Sequence, residues 1–261
     1  MPTIKEIASA IELFAPPELQ ESYDNSGLQI GDPGTEVTAA LLCLDVTEDI
    51  VEEALDRQCN LIITHHPLLF KGLKNITGKT AVERIAIKAI RENLAIYSAH
   101  TNLDSASEGI SHEMARLLKL KEIEVLEPKG PDSKEGLGVI GYIPPAPKLE
   151  FLRKLKETFN VKSLRYSSQS PQLVVRKVAV CGGAGASLIK EAVDREADII
   201  ITGDVKYHDF TSFGQEIIIA DIGHYESEQC SKKILWRVVH ENFPDLVTYF
   251  SEKETNPIKI L

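Results

Sequence analysis

The sequence predicts an α/β fold made of two related halves, each with a mainly parallel sheet. Two observations predict this class: short apolar runs alternate with amphipathic helical stretches, and the alternation occurs twice along the chain. Strands that are apolar on both faces are typical of parallel sheets covered by helices. With 261 residues, 43% of them hydrophobic, the chain is long enough to bury such a core.

The first half is predicted over residues 1–127 and starts with an amphipathic helix. Thr3 and Glu6 have the spacing of a capping box, which predicts the start of this helix. Further on, strands and helices are predicted to alternate, at residues 39–44, 48–58, 61–63, 80–92 and 94–97. A strand, a helix and a strand in this order form the unit from which parallel sheets are built.

The second half is predicted over residues 173–261 and again starts with a strand, a helix and a strand. They are expected at residues 178–181, 187–196, 199–201 and 217–219, with a last strand at 248–251. A shift of 138 positions aligns the first strand-helix-strand unit of the first half with that of the second half without gaps, so that Cys43 meets Cys181 and residues 61–64 meet residues 199–202. Self-similarity of this kind predicts two related halves.

Residues 128–172, between the halves, are rich in proline and glycine. Residues 137–143 alternate like a strand, and residues 148–159 have the pattern of a helix. Because apolar periodicity persists here, we predict a connecting subdomain and not a flexible linker.

Charge and composition exclude several classes of function. The net charge of −10 and the scattered basic residues argue against nucleic acid as a partner, because phosphate binding needs clustered lysine and arginine. No apolar run approaches the ~18–20 residues of a membrane-spanning helix, and the charged N-terminal segment is unlike a signal peptide. The four cysteines form no CxxC pair. We therefore expect a cytoplasmic protein that binds a small molecule, with neither a nucleic acid nor a membrane as a partner.

Two adjacent histidines, His65 and His66, directly follow a predicted buried strand. In an open α/β sheet, ligands bind at the carboxyl ends of the strands. Neighbouring side chains diverge, so the two rings cannot both belong to the core. Two interpretations are open: a polar turn in which one histidine bonds to the backbone, or a pair of imidazoles that each face a different metal ion.

Three further side chains fit the second interpretation. Asp104 follows the strand at residues 94–97, in a position where an aspartate is also a common turn former. His224 and Glu228 are four residues apart, so on a helix they share one face within reach of a common ion. The alternative is a solvated helix start, where the helix dipole favours acidic residues.

Together, these histidines and carboxylates predict a site for two divalent metal ions. The predicted ligands are His65, His66, Asp104, His224 and Glu228. Imidazole and carboxylate donors suit zinc, manganese or iron. A carboxylate that bridges two ions would hold them ~3.5–4 Å apart, and both ions would activate one water for hydrolysis.

Other polar residues are weaker candidates. Asp45, after the first strand, is either a hydrogen-bond acceptor for a ligand or the N-cap of the next helix. His208 lies in a polar segment, where it could meet an anionic substrate. The Gly-rich turn at residues 182–186 could cradle a phosphate, although it lacks GxGxxG and Walker spacing.

Five motifs, in order along nearly the whole chain, resemble those of one family. They are YDNSGLQIG at 23–31, ITHHP at 63–67, SAHTNLD at 98–104, ITGD at 201–204 with YH at 207–208, and DIGHYESE at 221–228. The family is that of the GTP cyclohydrolase 1 type 2 homologs, also called Nif-three-like or DUF-thirty-four proteins. The resemblance makes Asn25 and His100, inside two of these motifs, candidates for supporting the ligands or contacting the substrate.

The resemblance also implies an architecture and an activity. It implies two pseudo-symmetric α/β halves with the metal site in the cleft between them, Glu228 as the bridge, and a ring-like homohexamer. The implied activity resembles that of a GTP cyclohydrolase, in which metal-activated water attacks a nucleotide. Two alternatives stay open: a non-enzymatic metal-binding or regulatory ring protein, and a phosphodiesterase-type metallohydrolase, which shares the chemistry and differs in substrate.

Overall fold

The computed structural model describes residues 1–131 and 133–261, which form two compact units. Unit 1 contains Met1–Leu103 and Ser231–Pro257, and unit 2 contains Asp104–Cys230 and Ile258–Leu261. Each unit is built around one sheet. In the part of the chain that is described, every helix is too short or too polar to span a bilayer.

The elements alternate along the chain as the apolar pattern predicts. The first eight are α1 (Ile4–Phe14), β1 (Gly27–Ile30), β2 (Ala39–Cys43), α2 (Glu48–Asp56), β3 (Leu61–Thr64), α3 (Ala81–Arg91), β4 (Ala95–Ser98) and α4 (Thr101–Ser105). Next come α5 (Ile110–Leu118), β5 (Lys121–Pro128), β6 (Gly136–Pro147), α6 (Lys148–Thr158), β7 (Arg165–Tyr166), β8 (Val174–Val180), α7 (Ile189–Asp194), β9 (Ile199–Thr202), α8 (Tyr207–Phe213), β10 (Ile218–Asp221) and α9 (His224–Glu228). The last two are α10 (Cys230–Asn242) and β11 (Val247–Phe250), and short 3-10 turns cover Pro17–Leu19 and Ala186–Leu188.

Unit 1 has a five-stranded sheet in the order β1-β4-β3-β2-β11. All neighbours pair in parallel except β1, which runs antiparallel to β4 at the edge. Leu41, Ile62 and Ile96 of the central strands pack with Ile50 of α2 and Ile85 of α3 in a buried apolar cluster. Burial on a helix-covered face explains why these strands are apolar throughout.

The helices of unit 1 begin at side-chain caps. Thr3 and Glu6 form the predicted capping box at the start of α1. Thr47 caps α2 by accepting from the Ile50 N–H, and Thr80 caps α3 in the same way. Asp45 is therefore not the N-cap of α2.

Unit 2 has a six-stranded sheet in the order β5-β6-β8-β9-β10-β7. Strands β8, β9 and β10 pair in parallel, whereas β5, β6 and β7 pair antiparallel with their neighbours. The α/β class with two related halves is confirmed, and the parallel strands are those of the two predicted repeats. The antiparallel strands arise because β5 and β6 follow each other directly as a hairpin, without a crossover helix.

The internal repeat extends to the pairing register of the strands. Ala40 of β2 pairs with Leu61 of β3, and Val178 of β8 pairs with Ile199 of β9, each position shifted by the same 138 residues. The helices between these strands also end alike, because Gln58 and Glu196 have φ of 57° and 56°. The repeat therefore encodes the backbone geometry as well as the apolar pattern.

The compact units differ in extent from the predicted segments 1–127, 128–172 and 173–261. Residues described within 128–172 belong to unit 2, where β6 pairs with β8 and β7 pairs with β10. Almost all of α10, and the whole of β11, belong to unit 1, because β11 pairs in parallel with β2. This pairing covers the backbone edge of a fully buried strand, which would otherwise lack hydrogen-bond partners.

Candidate metal centre

The first residue of the predicted histidine pair, His65, directly follows β3 and is fully buried. Its Nδ1 lies 2.8 Å from the carbonyl oxygen of Ala99, which follows the neighbouring strand β4. A carbonyl oxygen only accepts, so Nδ1 carries the proton and the lone pair is on Nε2. This hydrogen bond is the one expected for a histidine that bonds to the backbone. It also leaves the ring in the form that binds a metal ion.

His66 is held in the same manner by a carboxylate. Its Nδ1 lies 2.8 Å from Oδ1 of Asp45, which follows β2. Of the two roles that the sequence allows for Asp45, the structure supports that of hydrogen-bond acceptor for a candidate ligand. A carboxylate behind an imidazole fixes the ring orientation and increases its basicity as a ligand.

His100 is the third histidine at this edge of the unit 1 sheet. Its Nδ1 lies 2.7 Å from Oδ1 of Asp24, whose side chain is fully buried. Asp24 also accepts from the Thr101 N–H at 3.0 Å and from the Ser26 hydroxyl at 3.1 Å. Burial favours the neutral acid, but hydrogen bonds from His100 and Thr101 outweigh it and hold the pKa of Asp24 well below its usual range.

The three imidazoles converge within unit 1. The ring centroids are 5.0 Å apart for His65 and His66, 5.2 Å for His65 and His100, and 5.5 Å for His66 and His100. One ring nitrogen of each lies within 4.8 Å of the other two. Since every Nδ1 faces an oxygen acceptor, Nε2 is the ring nitrogen that each imidazole can offer to an ion. This donor set fits a divalent transition metal.

The sequence did not predict the roles of two residues in this cluster, His100 and Asp24. His100 was a supporting candidate, whereas the structure places it in the cluster as a possible ligand. Asp24 lies in the first recognised motif but was not a candidate. The sequence could have indicated this role for His100, because His100 follows β4 as His65 follows the neighbouring strand β3. Asp24 precedes an edge strand that the apolar pattern did not reveal.

In unit 2, His224 and Glu228 lie on the short helix α9, four residues apart as the sequence spacing indicates. Nε2 of His224 lies 3.0 Å from Oε2 of Glu228, and its Nδ1 lies 2.9 Å from Oδ2 of Asp204. Carboxyl groups on both sides of one ring fit a doubly protonated imidazole, a protonated Glu228 that donates to Nε2, or an ion between Nε2 and Glu228. Glu228 is buried, so its charge needs compensation.

The Gly-rich turn of unit 2 packs directly against Glu228. Gly183 has φ of 62°, and a Cβ there would lie 2.1 Å from Oε1 of Glu228. The N–H of Gly183 donates to the Ser227 hydroxyl at 2.9 Å, and that of Gly185 donates to the Thr202 hydroxyl at 2.8 Å. These two N–H groups are used within the protein, and the turn makes room for the Glu228 carboxylate.

Asp104, the remaining predicted ligand, is half-buried on α4 and is counted with unit 2. Burial raises the pKa of the Cys230 thiol to about 12, and the negative charges of Glu113, Glu228 and Asp104 act in the same direction. Burial raises the pKa of Cys181 as well, again with contributions from Asp104 and Glu228. Burial therefore disfavours the thiolate form of both cysteines.

The two other candidates lie in different places. Asn25 is exposed, and its side-chain amide donates to the Leu69 carbonyl oxygen at 2.8 Å. His208 is exposed in α8 of unit 2, and its ring contacts that of Tyr207 at 5.5 Å. The polar segment that contains His208 forms, from Tyr207 onwards, the helix α8.

Comparison with known proteins gives a consistent result. The profile of Duf34/NIF3 (NGG1p interacting factor 3) matches residues 2–257. A GTP cyclohydrolase 1 type 2 homolog of Clostridium acetobutylicum is 38% identical over 228 residues, which cover 86% of this chain and 85% of the relative. The Lactococcus lactis protein of the same name is 34% identical and covers 97% of this chain and 98% of its own.

Solved structures share the fold across the whole chain. A Staphylococcus aureus protein superposes with a TM-score of 0.91 at 26% identity, covering 100% of this chain and 99% of its own. A Bacillus cereus protein related to NIF3 superposes with a TM-score of 0.89 at 26% identity and the same coverage. Both likenesses include the sheets of unit 1 and unit 2.

Proposed function

The chain belongs to the Duf34/NIF3 family, and on this basis we propose that it is a metal-dependent hydrolase with a dinuclear centre. The proposed ligands are His65, His66, Asp104, His224 and Glu228, with Glu228 as the bridge and with zinc, manganese or iron as the ions. The histidine cluster of unit 1 adds His100 to them as a further candidate ligand. The substrate that we propose is a nucleotide, attacked by metal-activated water.

One observation carries the proposal: three imidazoles in unit 1 converge, and each is oriented by an oxygen acceptor on its Nδ1. A histidine that only satisfies a polar turn needs one such bond. One ring nitrogen of each of the three histidines lies within 4.8 Å of the other two, which is a donor arrangement that a divalent cation can bind.

The carboxylates of unit 2 support the second part of the proposed ligand set. Glu228 is buried beside His224, and Gly183 leaves the space that its carboxylate occupies. Asp204 orients His224 through Nδ1, as Asp45 orients His66. The same arrangement of acceptor and imidazole therefore occurs in both units. Divalent ions bound to these residues would acidify a water and polarise the bond that it attacks.

The choice of a nucleotide is supported by the names of the relatives, which are GTP cyclohydrolase 1 type 2 homologs. The chain is acidic, with a net charge of −10, so an anionic substrate needs a local source of positive charge. Bound divalent ions supply it. In this proposal, the metal ions allow an acidic protein to bind an anionic substrate.

The test begins with metal content. Protein purified without chelators should contain about two transition-metal ions per chain by mass spectrometry, and His66→Ala should lose at least one. His240→Ala is the matched control, since His240 is exposed and stacks on Trp236 at 4.8 Å, away from the ligand set. A wild-type protein that binds no metal would end the proposal.

Activity is tested on the metal-loaded protein with GTP and a panel of nucleotides and phosphodiesters, with products identified by mass spectrometry. Turnover should disappear in Glu228→Gln. Turnover that persists in this variant would come from a contaminant. Metal binding without turnover on the whole panel would favour the regulatory alternative.

Assembly into a homohexamer is part of the proposal and rests on the family resemblance. Sedimentation equilibrium should give six times the chain mass of 28.9 kDa. A monomer or dimer over the micromolar range would contradict it.

A further inference from the structure

A line of aromatic rings leads from the histidine cluster to the surface of unit 1. The Phe70 ring lies 6.0 Å from the His100 ring at an interplanar angle of 86°. The Tyr23 ring lies 6.3 Å from the Phe70 ring at 70°. Tyr23 and Phe70 therefore form two aromatic walls that meet nearly at a right angle, directly beside a candidate ligand.

These two rings are open to solvent. Tyr23 is 65% exposed and Phe70 is 42% exposed. Binding sites for small molecules are typically lined by aromatic side chains around a few well-placed polar groups. The exposed pair beside three oriented imidazoles has this composition.

The segments that carry the rings are tied together by hydrogen bonds. Asn25 donates through Nδ2 to the Leu69 carbonyl oxygen at 2.8 Å, and the Leu69 N–H donates to Oε1 of Gln29 at 3.2 Å. Gln29 in turn donates through Nε2 to the Asn25 carbonyl oxygen at 2.7 Å. Leu69 immediately precedes Phe70, so this network fixes the position of the Phe70 wall relative to the segment after Tyr23.

We infer that Tyr23 and Phe70 form a binding platform for the planar ring of the substrate, and that the ring is a nucleobase. A planar ring that stacks on either wall meets the other wall with its edge, which is a favourable aromatic geometry. Lys71, exposed and next in sequence to Phe70, adds positive charge to the same loop, as a nucleotide phosphate requires. Asn25 is then a positioning residue that acts through Leu69. The inference rests on the proposed function and names what recognises the substrate.

The test is a calorimetric titration of the zinc-loaded protein with GMP, AMP and ribose 5-phosphate. The wild type should bind GMP or AMP at least about tenfold more tightly than ribose 5-phosphate, because stacking on an aromatic side chain contributes that much. Phe70→Ala and Tyr23→Ala should each lose about tenfold in nucleotide affinity and leave ribose 5-phosphate affinity unchanged. Phe70→Trp should bind nucleotides as tightly as the wild type, because it keeps an aromatic ring at this position. Asn25→Ala should bind nucleotides more weakly.

Phe250→Ala is the matched control, because Phe250 is also 42% exposed in unit 1 but lies on β11. It should bind all three compounds like the wild type. Equal affinity of the wild type for GMP, AMP and ribose 5-phosphate, or unchanged GMP affinity in both alanine variants, would overturn the platform.

Zinc content measured on the same samples separates this inference from the proposed function. Protein that holds zinc but shows no preference for a nucleobase overturns the platform and leaves the metal centre. Protein that binds GMP through Phe70 but holds no zinc supports the platform and overturns the metal centre.

Discussion

The imidazole of His100 and the carboxylate of Asp24 are joined by a hydrogen bond of 2.7 Å, although 76 residues separate them in the chain. Asp24 also accepts from the backbone N–H and the hydroxyl of Thr101, the residue after His100. One buried carboxylate therefore determines both the ring orientation of His100 and the start of α4.

We expect Asp24→Asn to weaken metal binding by about tenfold, because an acceptor behind a ligand imidazole typically contributes ten- to a hundredfold in affinity. The asparagine keeps an oxygen acceptor but loses the charge, so Asp24→Ala should have the larger effect. Competition with a chromophoric chelator measures both. The control is Asp32→Asn, since Asp32 is exposed and bonds to the Gly34 N–H in a turn. Equal affinities in Asp24→Asn and the wild type would contradict the orienting role.

We expect Gly183→Ala to impair the centre through sterics. A methyl group at this position would lie 2.1 Å from Oε1 of Glu228, and the left-handed φ of 62° is itself unfavourable for alanine by about 1–2 kcal/mol. The variant should lose metal and melt at a lower temperature. Gly130→Ala is the control in the same unit, because among the described residues no atom lies within 4 Å of its added Cβ. Full metal content in Gly183→Ala would show that Glu228 has room to move.

Zinc should raise the Tm of the wild type, because a ligand that binds only the folded state stabilises it by mass action. At a free concentration a hundred times the Kd, the expected gain is about 2.7 kcal/mol. A metal chelator should reverse the shift. The shift should be smaller in His66→Ala and unchanged in His240→Ala, and differential scanning fluorimetry measures all three proteins. A shift of the same size in His66→Ala would remove this residue from the ligand set.

Glu83 predicts a pH dependence of stability. Hydrogen bonds from the Thr77 N–H and hydroxyl, and from the Lys79 N–H, lower the pKa of Glu83 to about 2 from 4.5. Because the folded-state pKa is depressed, this contribution is complete above pH 4.5 and is lost as the pH falls towards 2. Glu83→Gln should therefore melt below the wild type at neutral pH, and the two curves should converge in acid.

The control for that titration is Glu92→Gln, because Glu92 is an exposed carboxylate at the other end of α3. Its Tm should follow the wild type at every pH. A constant difference between Glu83→Gln and the wild type from pH 7 to pH 2 would show that the ionised form has no special role.

The strands, most of the helices and the repeat could be predicted from the sequence because they depend on local patterns. The predicted strand at residues 61–63 is β3 (Leu61–Thr64), and the predicted helix at 80–92 is α3 (Ala81–Arg91). Burial on a sheet or on one helix face imposes a short apolar period, which the chain carries at each such element. The position of His65 and His66 at a strand end follows from the same patterns.

The sequence alone thus determined the α/β class, the two related halves and the histidine pair at a strand end. The tertiary structure decided that β11 joins the sheet of unit 1, that His100 completes the histidine cluster, and that Asp24 orients it. The physical reason is the distance along the chain between the residues that interact. A strand or helix is encoded in a few consecutive residues, whereas a sheet edge or a buried carboxylate takes whichever partner the folded chain brings within about 3 Å.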